Sequence, residues 1–166
     1  MTYASRKGST AAVAEAIGAV LRETGADVHV RPMHDVYNLI AYDAVVIGSA
    51  VYNGTVMPQA AQFIASQKHS LKTLPVAYFA VSLALANPDE LPNAAHYLDP
   101  VYTNGPEIKP VEVALFAGSY QPAAWNLLGR LVLRFSDQPQ GDFRNWEEIR
   151  RWAAGIEHRL LNTTKE

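Results

Sequence analysis

Six consecutive residues near the start of the chain, Ser5-Arg6-Lys7-Gly8-Ser9-Thr10, combine three hydroxyls, two cations and a glycine. That mixture suits an oxygen-rich anion, a phosphate above all. If the run closes a strand and opens a helix, the first helical N–H groups have no intrahelical acceptor, and the helix dipole adds positive potential. Gly8 lets the backbone approach closely, the hydroxyls can donate hydrogen bonds, and Arg6 or Lys7 adds charge at the rim. Serine and threonine are also favoured N-caps at any helix start. Taken alone, the run is explained more simply by plain capping.

A second stretch of chemical interest is Ala50-Val51-Tyr52-Asn53-Gly54. Asn-Gly tolerates positive φ and reads as a tight turn, and Tyr52 beside it offers a flat aromatic face. Tyr52 could equally be a loop aromatic packed on the following helix. Other chemistries are poorly supported. His29, His34, His69, His96 and His158 form no pair at three- or four-residue spacing on an expected helix, which argues against a metal site. Gly48-Ser49-Ala50-Val51 lacks the second glycine of a nucleophile elbow. Gly8 is followed by Ser9 rather than lysine, which excludes a nucleotide phosphate loop, and the spaced glycines of a dinucleotide fingerprint are missing. A phospho-acceptor receiver would need acidic residues where Ser5 and Arg6 stand.

These residues must be positioned by regular elements, and the apolar pattern supplies them. Tyr3-Ala4 reads as a strand, Val13, Ile17, Val20 and Leu21 recur at helical spacing, and Val28 and Val30 alternate with His29 and Arg31 as a second strand. Ala44-Val45-Val46-Ile47 is a continuous apolar run, as in a strand buried on both faces, ending at Gly48-Ser49. Pro58 is placed early in a helix running through Ser66, with Ala61, Phe63 and Ile64 inward. Val76 to Val81 and Val111 to Phe116 are two more buried strands, the latter followed by Gly118-Ser119-Tyr120. Between them, Ala86 to Pro110 reads as a long loop with one short helix near Asn93 to Leu98. Two helices follow, Ala123 to Phe135 and about Asn145 to Leu161, joined by the polar linker Ser136 to Gly141. Trp146, Ile149 and Trp152 recur at three-residue steps on the last helix and read as its core face. Strands alternating with helices imply a parallel sheet covered on both faces, an α/β fold.

Composition narrows the function. The chain has 166 residues, 49% hydrophobic and 18% charged, the mixture of one globular domain spanning residues 1–166. A net charge of -2 gives no footprint for nucleic acid. No cysteine is present, so cysteine-based redox, thiolate metal sites and cysteine-ligated clusters are excluded, and redox chemistry would need a bound cofactor. There is no basic segment leading into an apolar stretch, so a cytoplasmic location is expected. The apolar helix Trp125 to Phe135, with Arg130 and Arg134 on one face, reads first as core or a homodimer contact and second as a peripheral membrane contact.

Taken together, Tyr3 to Thr10 resembles the phosphate-loop signature of flavodoxins, and Tyr42 to Gly54 resembles their third strand and first flavin loop. Gly141-Asp142-Phe143-Arg144-Asn145-Trp146 resembles the C-terminal signature of the branch containing menaquinone-dependent protoporphyrinogen oxidase. The resemblance implies a flavodoxin-like three-layer sandwich with a five-stranded parallel sheet in the order 2-1-3-4-5. It implies FMN as cofactor, its phosphate held by Ser5, Arg6, Lys7, Gly8, Ser9 and Thr10. Ala50, Val51, Tyr52, Asn53 and Gly54 would run along the isoalloxazine, with Tyr52 against the ring, disfavouring the extra charge of its reduced form. The Asn53-Gly54 carbonyl would turn toward the reduced ring. Ser82, Leu83 and Ala84 would flank the other side. No catalytic side chain and no metal are implied. The implied function is an FMN-dependent redox flavoprotein, an oxidoreductase similar to protoporphyrinogen oxidase, with a redox partner or a small-molecule substrate such as a quinone or porphyrinogen. A flavodoxin-type electron carrier is the alternative. A flavin-free interaction module is a third reading, since only Met1 to Ala4 precede the loop.

Overall fold

The computed structural model describes residues 1–120 and 140–162. Strand β1 (Thr2–Ala4) leads into helix α1 (Ser9–Glu23), and the chain returns as β2 (Arg31–Pro32). It crosses to β3 (Val45–Tyr52), turns back through the short β4 (Thr55–Val56), and enters α2 (Pro58–Leu71) and β5 (Val76–Ser82). Two 3-10 segments (Ala84–Ala86, Pro88–Leu98), α3 (Asp99–Asn104) and β6 (Glu112–Ala117) follow. β7 (Ser119–Tyr120), β8 (Gly141–Asp142) and α4 (Trp146–Asn162) complete the described chain. The main sheet has the order β2-β1-β3-β5-β6, with these strands parallel and β4 antiparallel beside β3. With β4 set aside as a hairpin appendage, this is the expected 2-1-3-4-5 order of a flavodoxin-like sandwich.

The apolar runs divide by strand period between two cores. Val45 and Ile47 of β3 and Val76, Tyr78 and Ala80 of β5 face one side, where α2 and α3 supply Ala60, Phe63, Ile64, Leu71 and Val101. Val46, Ala77, Phe79 and Val81 face the other, against Val13, Ala14, Ile17 and Leu21 of α1 and Ile149, Ala153, Ile156 and Leu160 of α4. Trp146 and Trp152 pack partly buried against that second core, as their spacing implied. Burial of Val13, Ile17 and Leu21 contributes roughly 5–9 kcal/mol at about 1.5–3 kcal/mol each, several times what an N-cap supplies. Packing therefore anchors α1 and leaves its amino end available for a ligand.

Several boundaries differ from the sequence expectation. The alternation Val28-His29-Val30-Arg31 persists as half-buried against exposed side chains, but the paired strand is Arg31–Pro32, opposite Thr2 and Tyr3. β1 has three residues, so the ladder falls at the end of the alternating run. It is nevertheless an internal strand, paired with β2 and β3. α2 runs beyond Ser66 to the buried Leu71, and Ala60 rather than Ala61 sits in the core. The strand expected from Val111 is shifted by one residue, to Glu112–Ala117. The segment expected as a long loop with one short helix near Asn93 to Leu98 is mostly 3-10 and α-helix. The Asn87 side chain accepts from Asp89 N at 3.1 Å, Pro92 lies within the tighter helix, and Ala94, Tyr97 and Leu98 are buried. The helix expected over Ala123 to Phe135, with Arg130 and Arg134, and most of the linker after it lie outside the described residues. No described helix is long and apolar enough to cross a membrane.

Candidate functional site

The chain leaves β1 toward β2 on one side and returns to β3 on the other. Open α/β sheets bind ligands beyond the carboxyl ends of strands at such a reversal. Here Gly8 is the N-cap of α1, at φ 86°, and no side chain caps the helix. The first intrahelical acceptor is the Gly8 carbonyl, which takes Ala12 N at 3.0 Å. The hydroxyls have other duties. Ser5 Oγ accepts from Gly8 N at 3.2 Å and shapes the loop, and Ser9 Oγ accepts from Ser119 N at 3.1 Å, joining the loop to the strand end across the sheet. Thr10 is 1% exposed. Plain capping thus fails to explain the three hydroxyls, and the first turn of α1 carries no acidic residue that would repel an anion.

A cleft of about 480 Å³ opens at this sheet edge, within the usual range for a ligand site. Its walls come from Ser5, Arg6, Lys7, Ser9 and Thr10 of the loop and from Ala50 to Gly54 at the end of β3 and the turn after it. Val81, Ser82, Leu83 and Ala84 close it from β5, and Gly118, Ser119 and Tyr120 from β6 and β7. All the residues expected to meet a ligand are therefore at one place except Gly8. Gly8 borders an adjacent recess with Tyr3, Ala4 and Pro32, its contribution being the left-handed backbone that turns the loop. Val81 and Tyr97 line the cleft without having been expected. Nothing in the sequence marked Tyr97, which sits in the proline-rich stretch and is fixed by packing with Leu85 and Ala94.

The second loop is a tight hairpin turn with Asn53 at φ 52° and Gly54 at φ 74°. Its base is tied by Ser49 Oγ, which accepts from Met57 N at 3.0 Å and donates to Ala50 O at 2.9 Å. Tyr52 stands 54% exposed, with the Arg6 guanidinium carbon 4.8 Å from its ring centroid. Across the cleft, Lys7 Nζ lies 5.0 Å from the Tyr120 ring centroid. Behind Tyr120, β7 pairs with β8, where Arg144 hydrogen bonds hold the Asp142 carboxyl below its ordinary range. Arg6 and Lys7 are the charged residues on the described walls, and no carboxylate is among them.

A hydroxyl-rich cationic loop, unpaired helical N–H groups and three tyrosines around one cleft fit a ligand with a phosphate at one end and a flat ring at the other. A second cleft of about 530 Å³ lies at the amino ends of the strands, but its acidic side chains, Asp27, Asp43 and Glu157, do not suit such an anion. No group of His, Asp and Glu able to hold a metal occurs among the described residues.

The family model described as Flavodoxin domain matches residues 1–145. No curated protein matches the sequence. Among solved structures, a flavodoxin from the domain Archaea superposes with a TM-score of 0.57 at 18% identity, covering 96% of this chain and 95% of that one. Oxidised flavodoxin 1 from Bacillus cereus gives 0.57 at 19%, covering 93% and 92%. Rubredoxin oxygen:oxidoreductase from Desulfovibrio gigas gives 0.55 at 16%, covering 99% of this chain and 36% of the other. At these identities the likeness is one of fold.

Proposed function

The chain belongs to the flavodoxin domain family, and from that premise we propose that it binds FMN in the cleft at the carboxyl ends of β1, β3 and β5 and acts as a redox flavoprotein. The observation that carries the reading is the convergence of Ser5 to Thr10 with Tyr52-Asn53-Gly54 on one cleft, although more than forty residues separate them in sequence. Ser5, Ser9, Thr10 and the first N–H groups of α1 would hold the phosphate, with Arg6 and Lys7 adding charge at the rim. Tyr52 and Tyr97 would bound the ring, and Ser82 to Ala84 its other side. When bound, FMN supplies the electron transfer itself; the chain's residues anchor it, orient it and limit water access.

Within that reading, an oxidoreductase acting on a small substrate such as a quinone or porphyrinogen is favoured over an electron carrier. The cleft walls carry cations rather than carboxylates, and a net charge of -2 gives little steering toward a basic protein partner. The stretch Gly141 to Trp146 also connects to the site, since Asp142 and Gly141 pair with the cleft-lining Ser119 and Tyr120. Purification from cells grown with ample riboflavin tests the cofactor. A yellow protein with a flavin absorbance band is expected; a colourless one that takes up no added FMN contradicts the redox reading and favours an interaction module. Oxidation of a porphyrinogen, with a quinone as acceptor, separates the oxidoreductase from the carrier.

A further inference from the structure

We infer that Arg6, acting through Tyr52, raises the reduction potential of the bound flavin, offsetting the penalty that the tyrosine face imposes. The inference rests on the FMN reading above and deepens it. An aromatic face is rich in π density and disfavours added negative charge brought against it. Reduction places such charge on the flavin, so Tyr52 alone would lower the potential. The guanidinium carbon of Arg6 stands 4.8 Å from the Tyr52 ring centroid, where a cation draws that density toward itself. Its own charge also attracts the charge gained on reduction, and arginine keeps that charge at any working pH.

Among the described residues no carboxylate forms an ion pair with Arg6, whereas most other arginines have one. No carboxylate lines the described cleft walls either. Arg6 and Tyr52 are both exposed, so water screens the effect and holds it to a modest size. Arg6 is therefore a positioning and tuning residue rather than a catalytic one.

The test is the two-electron midpoint potential, measured by spectroelectrochemistry at saturating FMN, for the parent chain, Arg6→Gln, Arg6→Lys, Tyr52→Leu and the Arg6→Gln/Tyr52→Leu pair. Arg6→Gln is expected to weaken the preference for the reduced form about tenfold, which is about 30 mV for a two-electron couple. Arg6→Lys should restore most of the loss, and in the Tyr52→Leu background the effect of Arg6→Gln should shrink by more than half. For a variant that holds flavin weakly, the ratio of Kd values for oxidised and reduced FMN gives the same quantity. An unchanged potential in Arg6→Gln overturns the inference, as does an equal shift in both backgrounds. Either result, with FMN bound, leaves the FMN reading standing; a parent chain that takes up no FMN overturns both.

Discussion

Ser9 Oγ accepts a hydrogen bond from Ser119 N at 3.1 Å, joining the residue that opens α1 to one that follows β6, 110 positions later. Ser9 therefore serves as a strut across the site. Ser9→Ala leaves the Ser119 N–H, half-buried, without that acceptor, at a cost of about 1 kcal/mol in stability. Urea unfolding checks the cost, and the same variant should bind FMN more weakly because the two walls are no longer tied. Ser9→Thr, which keeps the acceptor, should retain most of both.

Gly48 of β3 lies opposite Phe79 of β5, and a β-carbon there would come within 2.0 Å of Phe79 Cζ. The ring fills the space above the glycine and packs toward Phe116 and Trp152. Gly48→Ala should destabilise the chain by about 1–3 kcal/mol through overpacking. The pair Gly48→Ala with Phe79→Leu should recover part of that loss, measured as the shift in the urea midpoint.

Glu107, before β6, meets Lys68 Nζ of α2 at 2.9 Å and Nζ of Lys72, the residue that caps α2, at 3.3 Å. Hydrogen bonding from Lys68 first, then from its own backbone and from Lys72, lowers its carboxyl from 4.5 to about 2. A carboxyl lowered in the folded state contributes stability above its unfolded value, and that contribution is lost as pH falls from about 4.5 toward about 2. The group is solvent-exposed, so the effect is small. A carbon-detected NMR titration should place Glu107 below the ordinary glutamate value, and Glu107→Gln should flatten the acid limb of the stability curve over that window.

The topology was legible because the buried strands are continuous apolar runs, with Gly118-Ser119 following one of them; Gly48-Ser49 does not end its strand as expected, since β3 continues through both residues to Tyr52. Ser5 to Thr10 and Tyr52 to Gly54 were legible as separate local patterns, and their meeting followed from the strand order. Three features were not legible. Tyr97 enters the cleft because Ala94 and Leu85 pack beside it, a tertiary fact without a local pattern. The role of Ser9 depends on a partner 110 positions away, and the local sequence alone assigned its hydroxyl more simply to capping. The first half of the Pro88–Leu98 helix, ahead of the short helix expected near Asn93 to Leu98, was hidden because prolines read as loop punctuation, whereas 3-10 geometry with an asparagine cap accommodates them.

Thr10 is 1% exposed and lines the cleft beside the first free N–H groups of α1, so its hydroxyl can be removed with little change of shape by Thr10→Val. Titration of flavin into the apo-protein, followed by quenching of flavin fluorescence, measures the Kd of FMN and of riboflavin for the parent and for Thr10→Val. Saturable binding of FMN is expected, with riboflavin weaker by at least tenfold and FMN weakened about 10- to 100-fold in Thr10→Val, since a hydrogen bond to a charged group contributes about 1.5–3 kcal/mol. Absence of FMN binding, or equal affinity for FMN and riboflavin with no change in Thr10→Val, would contradict a phosphate site at Ser5 to Thr10.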